Sequence, residues 1–231
     1  MSFANSLVIC KLEDLGLQVS FSAYKEVTDH GRPAITREQI KEEEFFTNLL
    51  PEHFQPVTVG KKGKDIVVPE VRSGKVYKAT GSYVGYDKDK ENSKLNSISL
   101  GRLYRGWGYY DDDDAAASEI SGHPIKRGKL PWIDSIITPS VSYGSTDKFL
   151  RYDEGDHFDT WHYDTFKKSI EKGTLLIFPP NKYNNFTGGE LVFKNESDEE
   201  FTVNPREFTT WTAVAFDKIL HKCMPITSGV R

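Results

Sequence analysis

The pattern of hydrophobic and polar positions along the chain changes near residue 140. In the segment that begins at Thr36, TREQIKEEEFFTNLL, apolar residues recur at the three- and four-residue spacing of an amphipathic helix. Thr36 and Gln39 have the spacing of a capping box, and Pro51, which cannot continue a helix, follows the segment. We therefore predict a helix from Thr36 to Leu50.

Three further segments lie before residue 140. The segment LPWIDSIITPSV (130–141) has apolar residues at helical spacing and predicts a second helix that ends before Pro139. Residues 61–78 mix basic, β-branched, Gly and Pro residues, which predicts short strands and turns with a solvated charged face. The charge-rich residues 83–121 predict an irregular insertion, and their acidic run at 111–114 fits a solvated loop better than a cation site.

After residue 140, short β-branched and aromatic runs alternate with Gly, Asn, Asp and Pro residues, which is typical of an antiparallel sandwich or barrel. We therefore predict a single domain, 1–231, with a mainly β (α+β) fold and N-terminal supporting helices. Residues 36–138 would provide helical support and substrate-side loops, and residues 139–231 would form the β-rich core. The predicted strand segments are VSYGSTDKFLRY, GTLLIF, GGELVFK, EEFTVN, TWTAVAF and HKCMPITSGVR.

Composition excludes several classes of protein. The 231 residues are 37% hydrophobic and 13% aromatic, which is too much apolar and aromatic content for a disordered chain, and two cysteines cannot form a disulfide scaffold. No apolar run approaches the roughly 20 residues of a membrane span, and the N-terminus lacks a basic n-region. A net charge of -4 shows no basic bias for nucleic acid. We expect an intracellular, cytoplasmic protein with no membrane or nucleic-acid partner and with Cys10 and Cys223 reduced.

Two His-x-Asp pairs carry the candidate chemistry. His157 precedes Asp159 by two residues, and His162 precedes Asp164 by two. Side chains at i and i+2 of a strand share a face, so either pair could offer an imidazole and a carboxylate to one metal ion. His221 could supply the third ligand of a facial triad for non-haem Fe(II). A hydrogen-bonded surface histidine is the alternative reading of each pair.

Three ordered blocks carry a family resemblance. The first is YDEGDHFDTWHYDT, with Tyr152, Gly155, Phe158, His162 and Asp164. The second is the hairpin GGEL at 188–191 followed by Phe193, and the third is AVAF, His221 and then PITSGVR. Over about residues 149–231 the chain resembles the Fe(II)- and 2-oxoglutarate-dependent dioxygenases, in particular their prolyl 4-hydroxylase-like branch.

The resemblance implies a double-stranded β-helix (jelly roll) and a ligand set. Only His162 and Asp164 lie at the family's distance from the preceding Tyr and Gly, so the implied metal ligands and catalytic centre are His162, Asp164 and His221. His157 and Asp159 would then lie in the approach to the metal strand. If residues 157–164 form one extended strand, the two pairs face opposite ways and cannot bind one ion.

The resemblance also implies the co-substrate site. Arg231 follows His221 by ten residues, the family's spacing for the basic residue that pairs with the distal carboxylate of 2-oxoglutarate. A guanidinium binds such a carboxylate through two hydrogen bonds. Tyr152 and Thr227 are candidate hydroxyl donors to the co-substrate. The implied cofactors are Fe(II), 2-oxoglutarate and O2, with ascorbate as an accessory reductant, and the products are succinate, CO2 and a hydroxylated substrate.

The expected substrate is a protein or peptide in which a proline is hydroxylated. A small-molecule substrate and a catalytically silent jelly-roll binding module are the alternatives. Nucleobase demethylation is disfavoured because those relatives carry a second arginine after the distal histidine. The aromatic residues at 104–110 could line a peptide groove or pack in a local core. One departure from the branch is that Ile177 and Phe178 occupy the strand where animal members carry a tyrosine, and Tyr183 could take that contact from the next loop.

Overall fold

The computed structural model describes residues 6–15, 17–47, 54–61, 64–79, 97–102, 147–164, 173–183 and 185–231. The fold is mainly β, with antiparallel strand pairs and few helices, as the sequence predicts. The strands are β1 (Leu7–Lys11), β2 (Leu17–Asp29), β3 (Arg32–Ile40), β4 (Gln55–Pro56), β5 (Val59–Lys61), β6 (Lys64–Ile66), β7 (Lys75–Ala79), β8 (Ser97–Arg102), β9 (Asp147–Arg151), β10 (Phe158–His162), β11 (Thr174–Phe178), β12 (Phe186–Gly188), β13 (Leu191–Lys194), β14 (Glu200–Val203), β15 (Thr212–Phe216), β16 (Leu220–Cys223) and β17 (Ile226–Gly229).

The helices of the described part are short. The α-helix α1 spans Glu42–Thr47, and three 3-10 turns span Leu12–Leu15, Asn181–Tyr183 and Pro205–Glu207. None of these helices has the length and apolar character of a membrane-spanning segment.

Two sheets enclose the main core. One has the strand order β1-β15-β11 and the other β10-β16-β13-β14. Every residue of β15, TAVAF, is buried, because this strand is paired on both edges. Phe216 of β15 and Phe193 of β13 meet edge to face with ring centroids 5.1 Å apart, so the two sheets share one core. Full burial of each ring favours this packing by about 1.5–3 kcal/mol.

The predicted helix from Thr36 to Leu50 is wrong over its first part. The backbone up to Ile40 belongs to β3, which pairs with β2 over nine residue pairs from Asp29↔Arg32 to Phe21↔Ile40. Only Glu42–Thr47 is helical, and residues 48–50 lie outside the described residues. Long-range strand pairing satisfies every second backbone group of β3 and outweighs a helical capping pattern.

The turn between β2 and β3 explains why this hairpin forms. His30 and Gly31 connect the strands with φ angles of 47° and 78°. Two successive residues with positive φ are the requirement of the two-residue turn that matches strand twist. The expected N-terminal helical support is therefore, over the described residues, a hairpin with one short helix after it.

The other segment predictions have mixed outcomes. Short strands β5, β6 and β7 confirm the strands predicted over residues 61–78, and each predicted strand segment after residue 140 contains a strand. Residues 97–102, expected to be irregular, form β8 and pair with β2, because this pairing satisfies backbone N–H and C=O groups of the segment. The predicted helix before Pro139, the acidic run at 111–114 and the aromatic segment at 104–110 lie outside the described residues. Cys10 and Cys223 both keep reduced thiols, as expected.

The backbone beyond β17 is hydrogen-bonded to Tyr152, the first residue named in the first sequence block. Strand β17 pairs with β12, and beyond it the backbone of Arg231 pairs with that of Tyr152. The Tyr152 N–H donates to the Arg231 carbonyl over 2.8 Å, and the Arg231 N–H donates back over 2.9 Å. This reciprocal pair fixes where the Arg231 side chain begins.

We predict that Gly229→Ala destabilises the protein far more than Gly31→Ala does. Both glycines have a φ near 80°, which costs an alanine about 1–2 kcal/mol. A Cβ at Gly229 would lie 1.9 Å from the Asn185 carbonyl oxygen, whereas a Cβ at Gly31 meets nothing within 4 Å. Urea unfolding should therefore place Gly229→Ala roughly 2 kcal/mol or more below Gly31→Ala. Equal unfolding midpoints for the two variants would contradict the close approach of β17 to residue 185.

Candidate metal centre

The pairing of β10 with β16 brings two histidines together. His162 and His221 are directly opposite each other in this antiparallel pair, and their ring centroids lie 4.2 Å apart. The next recorded pair along these strands is Phe158 opposite Cys223. Four residues of β10 therefore span the same distance as two residues of β16, which marks a bulge in β10.

The bulge changes the contacts of His162. In a regular strand, side chains four residues apart are separated by about 13 Å. Here the rings of Phe158 and His162 are stacked with centroids 3.6 Å apart. The strand ends at His162, so Asp164 lies just beyond it rather than within one long strand as the sequence suggested. The irregularity therefore gives His162 an apolar neighbour on one side and His221 on the other.

Backbone carbonyls orient both imidazoles. Nδ1 of His162 lies 2.8 Å from the Thr160 carbonyl oxygen, and Nδ1 of His221 lies 3.0 Å from that of Ile219. A carbonyl oxygen only accepts, so each Nδ1 carries the proton and each Nε2 keeps its lone pair. This arrangement is the usual support for a histidine that binds a metal through Nε2.

Asp164 completes the group. Its Oδ1 lies 3.9 Å from Nε2 of His162 and 3.7 Å from Nε2 of His221. The Thr174 hydroxyl donates to Oδ2 and leaves Oδ1 facing the two histidines. One ligand atom from each of the three residues lies within 4.8 Å of the others. The structure thus places His162, Asp164 and His221 together, as the sequence predicts.

The donor set fits a divalent transition metal. Burial lowers the pKa of His162, and the neighbouring His221 lowers it further, which favours the neutral ring that a metal ligand requires. Two imidazoles and one carboxylate form the facial set that suits Fe(II), and imidazole also suits zinc. His221 is buried, while His162 and Asp164 are half-buried at the edge of a cavity. The centre therefore has an open side.

Arg231 and Tyr152 line the same cavity as the three candidate ligands. This cavity has a volume of about 660 Å³ and is lined mostly by apolar side chains. The Arg231 guanidinium lies over the ring of Tyr152, 4.5 Å from its centroid, and Nη1 donates to the Gly189 carbonyl oxygen over 2.7 Å. Only 3% of the surface of Tyr152 is exposed. The guanidinium is thus held in a fixed plane.

The remaining candidates lie outside the cavity, with the exception of Tyr183. Thr227 is exposed on β17, where its hydroxyl is 2.7 Å from that of Thr187, and it does not line the cavity. His157 and Asp159 pair with each other, Nδ1 to Oδ1, at 3.0 Å and are not part of the His-Asp-His group. Tyr183 does line the cavity, and its hydroxyl donates to Glu43 over 3.3 Å.

Two residues of the site escaped the sequence analysis. Thr174 begins β11 and carries no motif, so its bond to Asp164 follows only from the packing of two sheets. Arg72 belongs to the basic segment 61–78, which was expected to be a solvated face, yet it lines the cavity.

No model of a known protein family matches the chain, and a search of curated proteins finds no match either. The function proposed below therefore depends on the motifs and on the geometry of the site.

We predict that Thr174→Val weakens divalent-metal binding about 10- to 100-fold, because Asp164 loses the hydrogen bond that orients its carboxylate. Calorimetric titration of Co(II) or Fe(II) under anaerobic conditions measures the effect. Thr212→Val is the matched control. The hydroxyl of Thr212, on β15, donates to the Thr210 carbonyl and does not contact a candidate ligand. Equal losses of affinity in both variants would show that the effect comes from general destabilisation.

Proposed function

We propose that this protein is an Fe(II)- and 2-oxoglutarate-dependent dioxygenase that hydroxylates a C–H bond of a peptidyl proline. The observation that carries the proposal is that His162, Asp164 and His221 converge at one cavity that also contains Arg231. Two of the three sequence blocks that resemble the prolyl 4-hydroxylase-like branch supply these four residues: His162 and Asp164 come from the first block, and His221 and Arg231 from the third.

The fold supports the proposal. Sheets β1-β15-β11 and β10-β16-β13-β14 pack against one core, and we assign them as the two faces of a double-stranded β-helix. In such a jelly roll the ligands lie on inward-facing strand positions near one open end. His162 and His221 occupy inward-facing positions here, since His221 is buried and its neighbours Phe193 and Phe216 belong to the core.

Each residue has a defined part in binding the co-substrate. Arg231 would hold the distal carboxylate of 2-oxoglutarate, because a guanidinium fixes both the charge and the plane of a carboxylate. Its contact with the Tyr152 ring and the Gly189 carbonyl keeps it in place before the acid arrives. The apolar lining beside it excludes water, which strengthens the ion pair.

Bound Fe(II) would activate O2 so that 2-oxoglutarate loses CO2, with one oxygen atom entering succinate and the other entering the substrate C–H bond. The neutral imidazoles and the single carboxylate leave a net positive centre, which favours binding of the anionic oxo acid. Ascorbate would act as an accessory reductant.

The cavity also bears on the substrate. Aromatic side chains of Phe46, Phe54, Phe149 and Trp211 line the cavity, and such rings suit contact with a proline ring. A small apolar molecule would fit the same lining, so it is the second candidate substrate. A binding module without turnover is the alternative of another class.

We predict that the wild-type protein, given Fe(II) and candidate proline-containing peptides, releases succinate from 2-oxoglutarate. Asp164→Ala should reduce the rate by at least about 100-fold, because a carboxylate ligand is lost. His157→Ala is the control and should keep wild-type turnover, since His157 pairs with Asp159 outside the metal group. Succinate is measured by mass spectrometry. A wild-type protein that binds iron and 2-oxoglutarate but releases no succinate would favour the binding module.

We also predict that Arg231→Lys weakens 2-oxoglutarate binding about tenfold or more and leaves metal affinity nearly unchanged. Lysine keeps the charge but loses the planar pair of donors. Calorimetric titration of 2-oxoglutarate into the Mn(II)-loaded protein measures this effect. Unchanged 2-oxoglutarate affinity would refute the role assigned to Arg231.

A further inference from the structure

A second guanidinium enters the cavity near the metal centre. Arg72 lies over the ring of Phe158, with Cζ 4.9 Å from the ring centroid, and Phe158 stacks in turn on His162. Arg72 Nη2 also donates a long hydrogen bond, 3.5 Å, to the Tyr152 hydroxyl. Arg72 and Arg231 therefore approach Tyr152 from different directions, one at its hydroxyl and the other over its ring.

Arg72 is left incompletely bonded. Its Nε atom is buried and has no hydrogen-bond partner. Arg151, which also lines the cavity, differs because its Nε contacts Asp153 Oδ1 at 2.7 Å. Within the described residues, no carboxylate forms an ion pair with Arg72. Buried donors in folded proteins are almost always bonded, and none of the residues that the structure describes bonds this one.

The backbone around Arg72 is fixed. The Arg72 N–H donates to the Val68 carbonyl over 3.0 Å, which closes a turn. The next residue, Ser73, donates its N–H to the His157 carbonyl and accepts the His157 N–H at its hydroxyl, each over 2.9 Å. Arg72 is thus anchored to the start of β10, the strand that carries His162. A donor held in this way binds a ligand with little loss of conformational freedom.

We propose that Arg72 binds a carboxylate of the substrate, so that the substrate of this site is an acid. The inference rests on the proposed function, in which Arg231 is occupied by 2-oxoglutarate. The Nη1 and Nη2 end of a guanidinium matches the two coplanar oxygens of one carboxylate. A phosphate commonly takes several basic groups, whereas Arg151 is already paired and Arg231 has its own ligand.

The substrate class follows from the rest of the lining. Apart from Arg72, Arg151, Asp164 and Arg231, the charged or titratable side chains of the cavity wall are the two histidines, two tyrosines and Cys223, and the remainder is almost entirely apolar. A ligand that fits this wall has an apolar body and one acidic group. For a peptide, this means a proline next to an acidic side chain or to a C-terminal carboxylate.

The test uses hexanoate and hexanamide as probes, because they share an apolar tail and differ only in the carboxylate. Zn(II)-loaded protein is saturated with 2-oxoglutarate, and each probe is titrated by ligand-observed NMR. Wild type should bind hexanoate at least about tenfold more tightly than hexanamide. Arg72→Ala and Arg72→Lys should lose most of this preference, and the exposed Arg206→Ala is the matched control that should retain it.

The outcomes separate the two proposals. Loss of the preference in Arg231→Ala but not in Arg72→Ala, or its absence in a folded wild-type protein, would overturn the role of Arg72. If 2-oxoglutarate fails to bind at all, the proposed function fails, and the same titration without 2-oxoglutarate still decides whether Arg72 binds a carboxylate. Thermal melting of both Arg72 variants shows whether each is folded. If Arg72→Ala does not fold, Arg72→Lys, which keeps the charge, serves as the test variant.

Discussion

The pairing of β10 with β16 is the constraint on which the site depends. It sets His162 directly opposite His221, and β16 is held from its other edge by β13, where Phe193 is opposite His221. A slip of one residue in either pair would turn an imidazole to the outer face of the sheet. The two candidate histidine ligands are therefore positioned by backbone ladders and do not depend on the order of a loop, whereas the third candidate, Asp164, is held by Thr174 from the neighbouring sheet.

Local sequence pattern correctly predicted those parts of the fold whose structure is determined by residues within one element. The strands after residue 140 and the His162–Asp164 spacing are of this kind, because alternation and turn residues act over a few positions. The helix predicted from Thr36 was wrong over its first residues. Its capping pattern competed with a hairpin in which paired residues are up to 19 positions apart, as Phe21 and Ile40 are. The His30–Gly31 turn carried the missing information.

Two features of the site lay beyond any local pattern. The bulge that stacks Phe158 on His162 arises from the register of two strands, which depends on the whole sheet. In the sequence, Arg72 is one of several basic residues in a segment expected to be solvated. The hydrogen bonds between Ser73 and His157 hold that segment against the cavity. The position of Arg72 changes the charge of the cavity. Asp164 is the one carboxylate on the described cavity wall, whereas three arginines line it, so the wall attracts anions.

The β1-β15-β11 sheet has a consequence for how the chain folds. Strand β1, at residues 7–11, pairs with β15, at residues 212–216, so the first described strand is completed only by one of the last. Such pairing closes a very long loop before it gains any contact, which slows folding relative to chains with local contacts. A nascent chain leaving the ribosome cannot form this sheet until residues 212–216 have been made. A metal ion that binds the finished centre acts on the folded state alone, and it would stabilise that state by mass action.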